Sequence, residues 1–247
     1  MKNLINAVFA CLICILFCSV SYAGNLHDGM KAAKSGNYAK AHDLWLLEAE
    51  KGNPIAQYNL ALLYVRGLFT THGGLIKDLS EAERWLLKAA VQGKTEAQYN
   101  LGVLYAQGPL QDFQKAKKWF LEAAQKGFPL AQCRLGYMFV TGTGVDVDFN
   151  NAAKWVRKCA MNDVPEAQLL LGNMYYEGKG VSQDKVEAYA WWVLAKGKGH
   201  PDASTAIKKA EKEWDPKIIK AGFGRSYTLA REVLQERREN EARWGFW

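Results

Sequence analysis

Apolar residues recur along this chain with the spacing of amphipathic helices. Between Ala82 and Val91 they occupy positions 82, 85, 86, 89 and 90, and between Ala97 and Tyr105 they occupy positions 97, 101, 104 and 105. Both series follow the i, i+3, i+4, i+7 spacing of a helix that buries one face. Each segment therefore predicts an amphipathic helix of about three to four turns.

This pair of segments repeats along the chain. Four stretches that open with Ala-Gln and close with an aromatic residue align without gaps, at intervals of 34 to 41 residues, and they start at Ala56, Ala97, Ala131 and Ala167. A second alanine precedes each of these stretches at a constant offset. In the last three units a tryptophan follows that alanine by three residues, at Trp85, Trp119 and Trp155. The frame fits once more around Ala188 and Trp191. Five units in one register predict tandem helix pairs.

The joins between the helices fit the same frame. Glycines that can take a left-handed cap follow the first helices at Gly52, Gly93 and Gly127. Prolines open the second helices at Pro54, Pro129, Pro165 and Pro201. Since stacking buries the second apolar face of each pair, we expect an all-α protein, a right-handed α/α solenoid of about five helix hairpins with helical caps. Trp119 is expected to be buried between neighbouring repeats.

The pattern A-x-x-W…A-A-x-x-G-x-x-x-A-Q-x-x-L-G-x-x-Y-x-x-G resembles the Sel-1-like repeat, a relative of the tetratricopeptide repeat, over residues 37–214. The predicted units lie near 37–77, 78–111, 112–147, 148–183 and 184–214. The resemblance implies a non-enzymatic scaffold that binds a protein or peptide. Two features depart from the pattern: Leu68–Asp78 carries an insertion, and the fifth unit has Glu211 and Trp214 in place of its closing aromatic residue and glycine. A degenerate last unit is typical of a capping repeat.

The first 23 residues have the layout of a secretory signal peptide. Lys2 precedes an apolar run from Leu4 to Cys18, and Ser21-Tyr22-Ala23 supplies small residues before a cleavage point at Gly24. The run is shorter than the ~20 residues that a membrane span needs, and an uncleaved anchor is the alternative. Cleavage near Ala23 removes Lys2, lowers the formal net charge from +7 to +6, and predicts a periplasmic or secreted protein.

Helical caps are predicted on both sides of the repeats, in residues 24–36 and 215–247. Asp215-Pro216 signals a helix start, and Ser226–Arg243 is predicted to be a helix whose charged stretch, Gln235–Arg243, projects into solvent. The aromatic residues at the C-terminus either fold back on the repeats or form an exposed docking tip. They are Trp244, Phe246 and Trp247.

The motifs predict no catalytic, cofactor or metal site. Ser182–Lys185 matches the S-x-x-K nucleophile motif, but no S-D-N or K-T-G follows, and a place before a helix favours capping. Asp146–Asn150 begins like a calcium loop but lacks its glycine and closing glutamate, so Asp148 is expected to cap a helix. A penicillin-binding or weak β-lactamase activity is the enzymatic alternative, through resemblance to cysteine-rich members of the same family. A secreted host-interaction factor is another alternative.

A column of cations forms the candidate binding surface. Arg84, Lys118 and Lys154 stand two residues after the first-helix alanine, and Lys117 and Arg157 flank them. Because one helix of each pair lines the concave face of such a solenoid, these five residues are candidates to bind an acidic or C-terminal carboxylate ligand. An ordinary solvated face is the alternative. A nucleic acid would be attracted by the positive charge, but export of the protein argues against such a partner. We expect the protein to be a monomer.

Two cysteines, Cys133 and Cys159, remain after cleavage. Both lie about nine residues from the same turn on neighbouring antiparallel helices, so we expect them to lie at the same level along the helix pair, where their sulfur atoms can meet. They either form one bridge, as an oxidising compartment allows, or stay as two buried free thiols.

Overall fold

The structure is a computed structural model that describes residues 24–68 and 77–244. All regular elements in these ranges are helical. A 3₁₀ turn spans Gly108–Leu110, and the α-helices are α1 (residues 24–34), α2 (Tyr38–Glu50), α3 (Pro54–Arg66), α4 (Leu79–Val91), α5 (Thr95–Ala106), α6 (Phe113–Gln125), α7 (Pro129–Thr141), α8 (Phe149–Met161), α9 (Pro165–Glu177), α10 (Lys185–Gly197), α11 (Pro201–Glu213) and α12 (Pro216–Trp244). The predicted signal peptide, residues 69–76 of the first linker, and residues 245–247 lie outside the described residues.

The alternation of the helices confirms the predicted fold class, an all-α solenoid of helix hairpins. Helices α2, α4, α6, α8 and α10 each open a hairpin, and the next helix along the chain closes it. The chain divides within α5 into an N-terminal part that ends at Leu101 and a C-terminal part that begins at Gly102. Each part has its own buried core.

In the N-terminal part, α3 packs between α2 and α4. Its core includes Trp45, Leu60 and Trp85, each at most 5% exposed. Helix α1 covers α2 closely, because Gly29 lies against the Trp45 indole with no room for a Cβ atom. The Asn25 side chain also donates a hydrogen bond of 2.9 Å to the buried Glu48 carboxylate. Helix α1 is therefore fixed to the first hairpin.

In the C-terminal part, the helices from α6 to α11 pack in chain order, and α12 then lies back against α10 and α8. The glycine in the Ala-Gln-x-x-Leu-Gly segment lets the next helix approach. A Cβ atom on Gly136 would lie 3.0 Å from the backbone nitrogen of Val156, which only glycine avoids. Ala152, Val156 and Leu171 form the core here together with Trp191, and Leu229 and Val233 of α12 join the same cluster.

Each turn inside a hairpin contains a residue in the left-handed conformation, as predicted at Gly52, Gly93 and Gly127, and in one turn that residue is not glycine. Gly52, Gly93, Gly127 and Gly199 have φ angles between 85° and 95°. At the equivalent position of the fourth hairpin stands Asp163, with φ 64°, and it is the sole non-glycine residue with positive φ in the part of the chain that the structure describes. Its side chain is held by ion pairs with Lys198 and Arg237. These contacts compensate a conformation that L-residues disfavour.

The expectation that Trp119 is buried is wrong. Trp85, Trp155 and Trp191 are 1%, 5% and 0% exposed, whereas Trp119 is half-buried and its neighbour Phe120 fills the core against Gly102. The surroundings of the two rings also differ. Lys154 and Lys158 both lie over Trp155, whereas Glu122 takes the place of Lys158 on α6 and, among the described residues, Lys118 alone lies over Trp119.

The C-terminal helix also differs from the prediction. The predicted helix start at Asp215-Pro216 is confirmed, but the helix continues without a break into the stretch predicted from Ser226, although Gly222 and Gly224 lower the helix propensity there. Gly222 is needed there, because a Cβ atom would lie 2.8 Å from Tyr189. The charged stretch does not project freely, since Asn240 is buried and donates a hydrogen bond of 2.8 Å to Asn162. Trp244 folds back and packs edge-on against Phe128, with ring centroids 5.5 Å apart. Phe246 and Trp247 lie outside the described residues.

Candidate partner-binding surfaces

Helices α6 and α8 carry most of the predicted binding cations. Their N-termini are capped by Asp112 and Asp148, whose carboxylates accept backbone N–H bonds of 3.0 Å from Lys115 and Asn151. These hydrogen bonds hold the pKa of both carboxyl groups below the usual value. The cap fixes where each helix begins and hence which residues point outward. We call the resulting cation cluster the basic face, and its members are Lys117, Lys118, Lys154, Arg157 and Lys158.

The basic face is built on aromatic rings. The Lys154 and Lys158 ammonium groups lie 5.4 and 5.2 Å from the centre of the Trp155 ring, and Lys118 lies 5.4 Å from Trp119. These are cation–π distances, which orient the side chain while leaving its charge available. The remaining two members are half-buried. Lys117 lies 5.8 Å from the Phe139 ring, and Arg157 lies over the Tyr175 ring and donates a hydrogen bond to its hydroxyl.

The charges of the basic face are not neutralised by carboxylates. Among the described residues, no Asp or Glu oxygen lies within ion-pair distance of these five side chains. Helix α8 has three cations and no acidic residue. A surface of this kind attracts anionic groups over a range set by the ionic strength.

Arg84 differs from its counterparts on α6 and α8. Its guanidinium makes hydrogen bonds of 3.0 and 2.6 Å to the two oxygens of Glu81, and these bonds raise the pKa of Arg84. The charge is therefore compensated within α4. The same position on α10 is Ala190, which is fully buried in the cluster that contains Leu229 and Val233 of α12. Of the residues in this column, Lys118 on α6 and Lys154 on α8 are exposed, and their charge is not compensated by a carboxylate.

Next to Lys117 lies a polar cavity of about 630 Å³, between the start of α6 and the loop before α8. Its lining includes Asp146 and Asp148, from the stretch that begins like a calcium loop. Asp148 is committed to the helix cap. In the described ranges, no three His, Cys, Asp or Glu side chains come together as metal ligands would.

The S-x-x-K stretch forms the start of α10. Asp184 caps the helix and accepts backbone N–H bonds from Val186 and Glu187. The Lys185 ammonium lies 5.3 Å from the centre of the Trp214 ring, and the structure gives no hydrogen bond between Ser182 and Lys185. The motif is thus explained locally by capping.

Cys133 of α7 and Cys159 of α8 are joined in a disulfide, with their Cα atoms 4.8 Å apart. That separation lies within the usual range for a bridge. The bond ties α7 to the helix that carries Lys154, Arg157 and Lys158.

A second surface was missed by sequence reasoning. Helices α10 and α12 enclose an open apolar groove with two depressions of about 410 and 510 Å³, which share Val193 and Phe223 as borders. We call it the α12 groove. Burial and a hydrogen bond to Glu211 raise the pKa of Tyr189, in the second depression, to about 12, so this phenol stays neutral. The signal that could have found the groove is the second apolar stripe of α12, at positions 223, 227, 230 and 234. None of the helices in the described ranges is both long and apolar enough to cross a bilayer.

Tandem helix hairpins in one register define a helical-repeat protein. The sequence profile of the Sel1 repeat matches residues 54–94, 95–128, 129–164 and 165–200. The chain belongs to the Sel1 repeat family, whose members commonly act as protein-interaction scaffolds. The predicted family membership is confirmed.

Solved structures of the same fold agree. A protective antigen of uropathogenic Escherichia coli, with a Sel1-like repeat fold, is 31% identical with a TM-score of 0.71 over 92% of this chain. This chain spans 49% of that protein, about half its length. A Sel1 repeat protein from Oxalobacter formigenes is 26% identical with a TM-score of 0.63, and the match covers 85% of this chain and 82% of the other.

Proposed function

We propose that this chain is an exported, non-enzymatic scaffold that binds an acidic protein or peptide through the basic face. The observation that carries the proposal is the set of five cations on α6 and α8 that no carboxylate of the described residues neutralises. Stems that are packed on aromatic rings lose little further freedom when a ligand carboxylate binds, which lowers the entropic cost of association.

Export is the second element of the proposal. It is supported by the apolar segment Leu4–Cys18 followed by Ser21-Tyr22-Ala23, and by a disulfide within the repeats. The similarity to a protective antigen of uropathogenic Escherichia coli is in keeping with a periplasmic or secreted protein. N-terminal sequencing of the protein recovered from the periplasm or medium tests this directly. A chain that starts at Gly24 supports export, and one that retains Met1 contradicts cleavage.

Binding is tested with a fluorescein-labelled glutamate-rich peptide by fluorescence anisotropy. The variant Lys118→Glu/Lys154→Glu/Lys158→Glu is expected to bind about tenfold more weakly, or worse, than the wild type. The matched control, Lys208→Glu/Lys212→Glu/Lys217→Glu, makes the same change in net charge at exposed lysines of α11 and α12. It is expected to keep most of the affinity. If the two variants lose affinity equally, the loss comes from the change in net charge alone, and the proposal is contradicted.

A further inference from the structure

We infer that the α12 groove is a second binding site, separate from the basic face, and that it takes an amphipathic peptide segment whose apolar side chains are flanked by carboxylates. The inference starts from α12, which is apolar on two faces. One face, with Leu229 and Val233, is buried against α8 and α10. The other carries Phe223, Tyr227 and Leu234, which are 47%, 62% and 47% exposed.

The exposed stripe has helical spacing. Phe223, Tyr227, Ala230 and Leu234 stand at i, i+4, i+7 and i+11, so they line one side of α12 over about 16 Å. Contiguous exposed apolar side chains of this size typically mark an interaction site. The length matches about three turns of an amphipathic helix, which binds through anchors at the same intervals.

The floor of the groove offers places for such anchors. The first depression is bordered by Val193, Leu194 and Gly197 of α10, together with the α12 stripe. The second is bordered by Tyr189, Ile207 and Trp214, with Ile219 of α12. A lipid bilayer presents a flat surface and fills such hollows poorly, whereas individual side chains of a peptide fit them. Volumes of this size are typical of sites that bury a ligand group.

The charge around the groove sets the chemistry of the ligand. Lys196 and Lys220 are exposed and line the second depression, and neither is within ion-pair distance of a carboxylate in the described ranges. The nearby acids are already engaged. Asp163 holds Lys198 and Arg237, Glu211 accepts from Tyr189, and Glu232 pairs with Arg225. An apolar floor with a cationic rim is complementary to apolar anchors flanked by Asp or Glu.

Gly197 supplies a test that leaves the fold in place. It is the last residue of α10, and a Cβ atom built on it has no neighbour within 4 Å. Gly197 also borders the first depression, so we expect the ring of Gly197→Phe to occupy it. Gly224 on α12 is equally open, does not border either depression, and gives the matched control Gly224→Phe.

The probe is a labelled peptide of about 15 residues, with leucine at i, i+4, i+7 and i+11 and glutamate beside these positions, measured by fluorescence anisotropy. A scrambled peptide of the same composition is the reference. We expect the patterned peptide to bind the wild type at least tenfold more tightly than the scrambled one. Gly197→Phe should lose at least tenfold in affinity and keep the urea midpoint of the wild type. Gly224→Phe should bind as the wild type does. The triple reversal of the basic face should keep the preference for the patterned over the scrambled peptide, because the two peptides are equally acidic.

The charged rim has its own test. Lys196→Glu/Lys220→Glu should weaken the binding of the patterned peptide several-fold and reduce the salt dependence of its binding. The inference is overturned if the scrambled peptide binds equally well or if Gly197→Phe binds like the wild type. It is also overturned if the wild type prefers phosphatidylglycerol vesicles to the peptide. If the triple reversal no longer prefers the patterned peptide to the scrambled one, the peptide is bound by the basic face and the inference is also overturned.

Discussion

Helices α4 and α8 hold the same place in their repeats and carry the same residue types at their buried positions, yet their exposed sides differ in how charge is paired. Both begin after a capping aspartate, Asp78 or Asp148, and both bury a tryptophan. In α4 the third residue after the cap is Glu81, which binds Arg84 and also accepts a hydrogen bond from Trp85. In α8 that position is Asn151, and Lys154 keeps its charge unpaired.

The difference teaches that a cation in the repeat column is not by itself a binding signal. The three units with a cation in this column all have alanine and tryptophan at the matching positions, whereas the residue three before the cation is Glu81, Lys115 or Asn151. That neighbour decides whether the charge is compensated inside the helix. Of the predicted site residues, Arg84 is therefore the weakest candidate and Lys154 the strongest.

The largest expected effect concerns the cores of these helices. Trp155→Ala should lower the free energy of unfolding by about 3–5 kcal/mol, because the ring is 5% exposed and leaves a cavity. Trp119→Ala, at the half-buried position on α6, should cost about half as much. Urea unfolding of the two variants measures the difference. Equal losses would contradict the exposure assigned to Trp119.

The disulfide is the next largest effect, and it distinguishes α8 from α4, where Ala89 occupies the place of Cys159. Replacement of both cysteines by alanine should lower stability by about 3 kcal/mol on the loop-entropy model, since the bridge joins residues 26 apart. Thermal unfolding with and without reductant measures it. If alkylation without reductant adds two groups to the purified protein, the bridge is absent.

A smaller effect is expected from the ion pair of α4. Glu81→Gln removes the carboxylate that pairs with Arg84 and keeps a side-chain oxygen to accept the Trp85 hydrogen bond. In urea unfolding it should change the free energy of unfolding by less than about 1 kcal/mol, because both side chains of the pair are more than a third exposed. A loss above about 2 kcal/mol would show that the pair has a structural role that exposed pairs do not have.

The sequence predicted those parts of the molecule that depend on local pattern. The register of the hairpins, the glycine caps and the capping role of Asp148 follow from residue type and spacing. The burial of Trp119 could not be predicted, because it depends on which side chains cover the ring from outside. The contact between Asn240 and Asn162 joins residues 78 apart and leaves no periodic signal. The α12 groove was hidden because one helix carries two apolar stripes, and pattern alone does not say which one is buried.

The most direct test of the account is one substitution in α8. Asn151→Glu recreates the Asp-x-x-Glu start of α4 and places a carboxylate three residues before Lys154, where it pairs as Glu81 does with Arg84. Fluorescence anisotropy with the glutamate-rich peptide should then show an affinity reduced about threefold or more, while Thr205→Glu, an exposed position on α11 with the same change in charge, leaves it unchanged. If Asn151→Glu binds the peptide as the wild type does, the unpaired cations of the basic face are not what binds it.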